Sequence, residues 1–184
     1  MTTKQALKFV TPDEYLVGER DGQTRHEFVA GQVFAMTGGS VYHNRVTGNI
    51  FALLREKLSP RPCDIFISDM KVKTDQAYYY PDVMVVCDPK DRDPYSKTSP
   101  TVIVEVTSPT TRSIDEREKR LAYLSIAGLQ EYVLAEQDRP EVRIIRRSVA
   151  GSWEQEDFGA DDLMRVCSLD IVIPMQSIYE GVWR

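Results

Sequence analysis

The sequence is most easily bounded by what it lacks. No apolar run approaches the roughly 20 residues that a membrane-spanning helix needs, so a membrane span is not expected. The opening "MTTKQALKFVTPDEYL" has neither a continuous apolar core nor a small-residue cleavage site, and the cytoplasm is the expected compartment. Cysteine is scarce. The three residues Cys63, Cys87 and Cys167 are odd in number, widely spaced and without a CxxC or CxxH neighbour, which argues against a disulfide framework and against a zinc site. Cys87, inside "VMVVCD", reads as a small buried hydrophobe. Positive charge is also short: 23 Lys and Arg against 28 Asp and Glu give a net charge of -5, which argues against a broad cationic face while leaving room for a local patch. No fixed-period repeat or low-complexity stretch appears, so a solenoid or a disordered tail is not supported.

What remains is an ordinary globular composition, 42% hydrophobic and 28% charged over 184 residues, read as a single domain spanning 1–184. Thr11, Pro12 and Glu14 mark a helix start by cap, first-turn proline and capping box. "RHEFVAGQVFAM" predicts a hairpin turning at Ala30-Gly31, and Val46, Ile50, Leu53, Leu54 and Leu58 space an amphipathic helix over Val41 to Leu58. "CDIFISDMKVKT" predicts one strand, "YYYPDVMVVCDP" predicts a strand whose run Val83 to Cys87 is apolar on both faces and hence central in a sheet, and "TVIVEVT" predicts another β-branched strand. "KDRDPYSKTSP" between them is a polar loop. Ser113 and Glu116 form a second capping-box pattern and Gly128 stands at the far end, which predicts a helix across that interval. "EYVLAEQ" and "EVRIIRR" are two more strands, and the tail is expected to return through a short edge strand and a terminal helix. The fold class is α/β or α+β, a mixed sheet flanked by helices with an N-terminal β-hairpin.

Within this frame, Asp82 begins one central strand and Glu105 lies near the end of the next. If the two strands pair antiparallel with residue numbers summing to an odd value, both acids share one face and stand close enough to share a divalent cation; a slip of one residue would part them. Alternation alone leaves Glu105 open to two readings, since it shares a face with Thr101 and Thr107 as well as with Ile103. Solvent or a covering helix would satisfy it. Asp115, Lys119 and Tyr123 recur every four residues on the following helix, so Lys119 either turns toward the acids or pairs with Asp115 on a solvated face. Arg112, Arg117, Lys119 and Arg120, and later Arg139, Arg143, Arg146 and Arg147, are the local positive clusters.

Taken in order, "RHEFVAGQVFAM", the histidine of the long helix, "SDMKVK", "YYYPDVMVVCDP", "PTVIVEVTSPTT", "DEREKRLAY" and "GLQEYVLAEQDRPEVRIIRR" resemble the Uma2 family, placed in the PD-(D/E)XK nuclease superfamily. The resemblance runs from about Thr11 to Trp183. It implies a restriction-endonuclease-like fold and a metal-dependent endonuclease acting on nucleic acid, with DNA the expected substrate and a homodimer the expected assembly. By the same resemblance Asp82 and Glu105 are the metal-ligating acids, joined by the backbone carbonyl of Val106, with Mg²⁺ the expected ion and Mn²⁺ an alternative. A strict superfamily motif has lysine where this chain has Thr107. The chain instead resembles variants whose catalytic lysine has moved to the following helix, here Lys119. Glu27 and His43 match further acidic and histidine positions of the family, and Asp69 sits in a family-like "SD" pair. Two other classes of function stand beside this one: a catalytically inactive nucleic-acid-binding or interaction module on the same fold, and an enzyme for a smaller phosphorylated substrate, which "TGGS" does not support because it lacks the GxxxxGK[ST] pattern.

Overall fold

The computed structural model describes residues 9–59, 61–108 and 115–184, with the backbone alone at 115 and 116. Helix α1 (Pro12–Asp21) starts at the Thr11 capping box and buries Tyr15 against Phe28 and Tyr78. The hairpin β1 (His26–Val29) and β2 (Gln32–Ala35) pairs Val29 with Gln32, leaving a two-residue loop. Both loop residues have positive φ, 47° at Ala30 and 86° at Gly31, the backbone of a primed turn whose twist matches the strands it joins. Gly31 is also required by packing, because a Cβ there would lie 2.8 Å from the Phe9 ring. Helix α2 (Val41–Leu58) is capped by Ser40, and Val46, Ile50, Leu54 and Leu58 form its buried stripe. Burial of each such side chain contributes about 1.5–3 kcal/mol.

Two sheets organise the rest. The five-stranded sheet runs β2-β1-β5-β4-β7, with β4 Lys71–Lys73, β5 Ala77–Tyr79 and β7 Ser96–Lys97. The six-stranded sheet runs β11-β10-β9-β8-β6-β3, with β3 Asp64–Ile67, β6 Val83–Val86, β8 Val102–Thr107, β9 Glu131–Glu136, β10 Val142–Arg147 and β11 Trp153–Phe158. Every residue of β6 and β8 is buried, as the two-sided apolar pattern of β6 requires; in β8 this includes Glu105 and Thr107. Val83, Val85, Val102, Val104 and Val106 face α2 and the C-terminal elements. Met84, Val86 and Ile103 face the opposite core, which holds Val72, Ala77 and Tyr79 of the other sheet together with Tyr123. The two sheets therefore share a core.

Several expected elements come out differently. "CDIFISDMKVKT" is two strands in two sheets, broken at Ser68, whose φ of 56° turns the chain from β3 toward β4. Part of the polar loop forms β7, which pairs parallel with β4. The helix expected from Ser113 to Gly128 is a π-helical turn, Asp115–Lys119, leading into the short α3, Arg120–Leu124. Ser113 lies outside the described residues. Gly128 is not a helix cap; it packs so tightly on Ser99 that no Cβ fits. The tail carries β11, then the hairpin β12 (Leu163–Val166) and β13 (Ile171–Pro174), and ends in a single-turn helix, α4 (Met175–Ile178). Arg45 and Asn49 of α2 hold this end by donating to the carbonyls of Val182, Ile178 and Glu180.

Cys63 and Cys87 form a disulfide, which corrects the expectation that the cysteines stay apart. The reason lies in register. β3 and β6 pair Asp64 with Val86, so one further step brings the two cysteines opposite each other although they are 24 residues apart in sequence. Cys167 remains a free, exposed thiol. Among the described residues no helix is long and apolar enough to cross a membrane.

Candidate active site

β6 and β8 pair antiparallel with Val83 opposite Val104, Met84 opposite Ile103 and Val85 opposite Val102. These numbers sum to an odd value, so Asp82 and Glu105 occupy facing positions at the same end of the pair. Pro81, next in line, has no N–H to give the ladder and ends it. The Asp82 side chain takes over there, its Oδ2 accepting the Val106 N–H at 2.7 Å. The same oxygen lies 3.2 Å from His43 Nε2 in the first turn of α2. An ionised carboxylate only accepts, so Nε2 carries the proton in this contact. Oδ1 of Asp82 has no partner among the described residues.

Glu105 is not a solvent-facing acid. It is 4% exposed, because the face it shares with Ile103 is covered by α3 and the five-stranded sheet. Two groups from the helical segment compensate its charge: Tyr123 donates its hydroxyl to Oε1 at 2.7 Å, and Lys119 Nζ lies 3.4 Å from the same oxygen. Burial, followed by the adjacent Glu105 carboxylate, pushes the Tyr123 phenol well above its ordinary pKa, so it stays a donor. Lys119 is closer still to Glu27 of β1, at 2.9 Å, and its ammonium sits 5.7 Å from the ring centre of Tyr79. Glu27 also accepts weakly from the Tyr80 N–H at 3.4 Å. Thr107, where the strict motif has lysine, is buried and points its hydroxyl toward the Ala135 carbonyl.

A cavity of about 440 Å³ opens onto this group, lined by Asp82, Glu105, Val106, Lys119, His43 and the glycine loop Gly38-Gly39. Ser40, the N-cap of the 18-residue α2, also lines it, so the partial positive charge of a helix N-terminus faces the same space. Gly39 is needed here, since a Cβ would stand 2.9 Å from His43 Nδ1. Of the residues singled out from sequence, Asp82, Glu105, Lys119 and His43 line the cavity, and Glu27 stands behind Lys119. Asp69 does not join them; it is exposed and pairs with Arg25. Tyr123 was placed by the four-residue spacing from Lys119 but carried no assigned role, and Tyr80, Ser68 and Gln137 on the cavity wall had no sequence signal at all. Three of the four late arginines are neutralised by acids: Arg139 by Glu136, Asp138 and Glu141, Arg143 by Asp157, and Arg146 by Glu131 and Glu156; Arg147 instead donates to the Ile126 carbonyl and lies over the Trp153 ring.

Among the described residues no three His, Cys, Asp or Glu side chains converge as a metal cage. The oxygen donors at hand are two carboxylates and a backbone carbonyl, at a cavity with room for water. That is the donor set of an ion such as Mg²⁺, which is usually held by one or two carboxylates and keeps several waters.

The fold is that of a nuclease-type α+β domain. A crystal structure described as a "putative nuclease belonging to DUF820" from Anabaena variabilis ATCC 29413 superposes with a TM-score of 0.78, covering 94% of this chain and 99% of that one at 18% identity. The chain belongs to the Uma2 family, whose profile, described as "Putative restriction endonuclease", matches residues 12–175. The uncharacterized protein slr1290 of Synechocystis sp. (strain ATCC 27184 / PCC 6803 / Kazusa) is 32% identical over 94% of this chain and 93% of its own length. The uncharacterized protein sll1609 of the same organism is 37% identical over 74% of this chain and 80% of its own. Family membership supports a nuclease function and with it a nucleic-acid substrate.

Proposed function

We propose that the protein is a divalent-metal-dependent endonuclease that hydrolyses phosphodiester bonds in DNA. The observation that carries this reading is the convergence of Asp82, Glu105 and Lys119 on one polar cavity. In this assignment Asp82, Glu105 and the Val106 carbonyl hold Mg²⁺, with Mn²⁺ as a substitute. When bound, the ion supplies positive charge to the scissile phosphate and lowers the pKa of a water.

The chain's own residues do the rest. The Lys119 ammonium stands where negative charge develops on the phosphate and stabilises it without reorganisation, because Glu27 and Glu105 fix its position. His43 turns Asp82 by holding Oδ2, while the Val106 N–H anchors the same oxygen. The N-terminal turn of α2 and the Gly38-Gly39 backbone offer the phosphate a positive, unobstructed approach. Cutting both strands of a duplex takes two such sites, so the proposed active form is a homodimer.

Incubation of the purified protein with supercoiled plasmid, single-stranded DNA and RNA, in Mg²⁺, Mn²⁺ or EDTA, tests the reading. Metal-dependent nicking of DNA that is lost in Asp82→Ala and Glu105→Ala is the expected result. Cleavage surviving both substitutions rejects the site. Binding without cleavage on every substrate favours an inactive nucleic-acid-binding module instead.

A further inference from the structure

A second cavity, of about 340 Å³, lies on the other side of Tyr80, which lines both. Its walls come from the end of α1, the start of β1, β4 and the turn at Pro94-Tyr95, and they bring together three cations far apart in sequence: Arg20, Arg25 and Lys71. Lys71 is the unusual member. It is 9% exposed, yet among the described residues its Nζ makes no hydrogen bond or ion pair; the Tyr80 ring centre lies 5.1 Å from Nζ, and Glu19 and Asp93 act on the ammonium only without direct contact. An ammonium largely withdrawn from water and without a direct ion-pair partner is costly, and an anion that reaches it offsets the cost.

The other charged groups do not supply that anion. Glu19, buried beside the cavity, already accepts from the His26 N–H and the Tyr80 hydroxyl, each at 2.9 Å, and lies 3.2 Å from His26 Nδ1. Asp69 is at the rim, 3.3 Å from Arg25 Nε and widely exposed. Asp93 is tied to the backbone of Tyr95 and Ser96 at 2.8 Å each. Arg20 is held over the Tyr95 ring at 4.7 Å, and Arg25 stands 5.8 Å from the Tyr80 ring, so aromatic faces position both guanidiniums. Burial lowers the Lys71 pKa, and the charges of Arg25 and Arg20 act in the same direction against the pull of Glu19 and Asp93. The three cations are held in place by rings, while the acids nearby, Glu19, Asp69 and Asp93, are engaged by other groups and none pairs with Lys71.

We infer that this second cavity binds a backbone phosphate of the nucleic-acid strand, flanking the phosphate held at the Asp82–Glu105 cavity. The inference rests on the nuclease reading for its ligand and deepens it. Lys71 supplies the buried charge and Arg20 and Arg25 supply donors at the mouth, while Tyr80 forms the partition between neighbouring phosphate positions. Arginine and lysine contacts of this kind fix where a strand lies without reading its sequence.

The test is fluorescence anisotropy of the full chain with a labelled 20-nucleotide DNA strand in EDTA across a salt series, beside a parallel cleavage assay in Mg²⁺. Lys71→Met and Arg20→Gln are each expected to raise Kd several-fold and to flatten the slope of log K against log salt by about 0.7, the value for one lost phosphate contact on a single strand. Arg20 is exposed, so Arg20→Gln keeps the test valid if Lys71→Met fails to fold. Kd values and salt slopes equal to wild type in both variants overturn the inference, as does displacement of the 20-mer from the wild type by inorganic phosphate as effective as unlabelled strand. A wild type that binds with a slope dependent on Lys71 and Arg20 but never cuts sinks the nuclease reading and leaves the groove standing. One that cuts while both variants bind normally does the reverse.

Discussion

Asp82 and Glu105 stand face to face because the register that pairs Val83 with Val104 runs on by one residue. Two facing acids at a cavity should take up a divalent cation, and binding only to the folded state raises stability by mass action. With Mg²⁺ or Mn²⁺ at 100 times its dissociation constant the gain is about 2.7 kcal/mol. Differential scanning calorimetry should record a rise in Tm that EDTA reverses and that Asp82→Asn abolishes. An unchanged Tm in wild type would remove the proposed ion from the site.

Lys119 lies between Glu27 and Glu105, and Glu105 is buried. Removing the ammonium leaves a buried carboxylate with less compensation, a change that costs about 3–5 kcal/mol. Lys119→Met should therefore be both inactive and destabilised in urea denaturation. The double variant Lys119→Met with Glu105→Gln should recover most of the stability and none of the activity, which separates the structural from the chemical role of the lysine.

Tyr123→Phe removes only the hydroxyl that donates to Glu105 at 2.7 Å. Loss of one hydrogen bond to a charged group should cost about 2 kcal/mol by denaturant titration. Its ring contacts with Tyr79 and Tyr132, at 5.4 and 5.3 Å, remain, so the core should stay packed and nuclease activity should fall less than in Lys119→Met.

Lys71 titrates below the ordinary lysine value of 10.5 in the folded protein. Below the depressed pKa both states carry the proton, and the burial penalty is present in full. Between the depressed pKa and 10.5 the unfolded chain binds more protons, so stability rises with pH in that window. Lys71→Met should be at least as stable as wild type at neutral pH, and the difference should narrow as pH climbs toward 10.5. A variant less stable than wild type at every pH would contradict this.

The Cys63–Cys87 disulfide spans 24 residues that include β3 to β6. Closing a loop of that length stabilises by about 3 kcal/mol in the chain-entropy account. Dithiothreitol, or the double change Cys63→Ser and Cys87→Ser, should lower the denaturation midpoint accordingly. Disulfides are rare in the reducing cytosol, and the oxidation state in cells, read by thiol alkylation and mass spectrometry, decides whether the bond forms there.

Much of this could be read without coordinates wherever the controlling physics is local. Ala30-Gly31 announces a tight turn, the α2 stripe announces its buried face, and the valine-rich β6 announces a strand covered on both sides. The acid pair depended on a parity that neighbouring strands alone leave open and that the Val83–Val104 register supplies. What resisted was set by distant partners. Cys63 meets Cys87 only through the β3–β6 register, and the run around Ser68 divides between two sheets because of one left-handed residue. Arg143 and Arg146 look available in sequence, yet Asp157, Glu131 and Glu156 neutralise them. Conversely, Arg20, Arg25 and Lys71 show no pattern until β4 brings them together. The segment after β8 promised a long capped helix, whereas its short π-turned form aims Lys119 inward.

The chain crosses from one sheet to the other at Ser68–Met70 and again at Tyr80–Asp82, beside the cavity in both places. Glu27 belongs to the five-stranded sheet and Glu105 to the six-stranded one, and Lys119 grips both. The lysine is thus a clasp across a seam: its grip on Glu27 closes only when both halves of the core have come together, so the arrangement of this corner reports that assembly is complete.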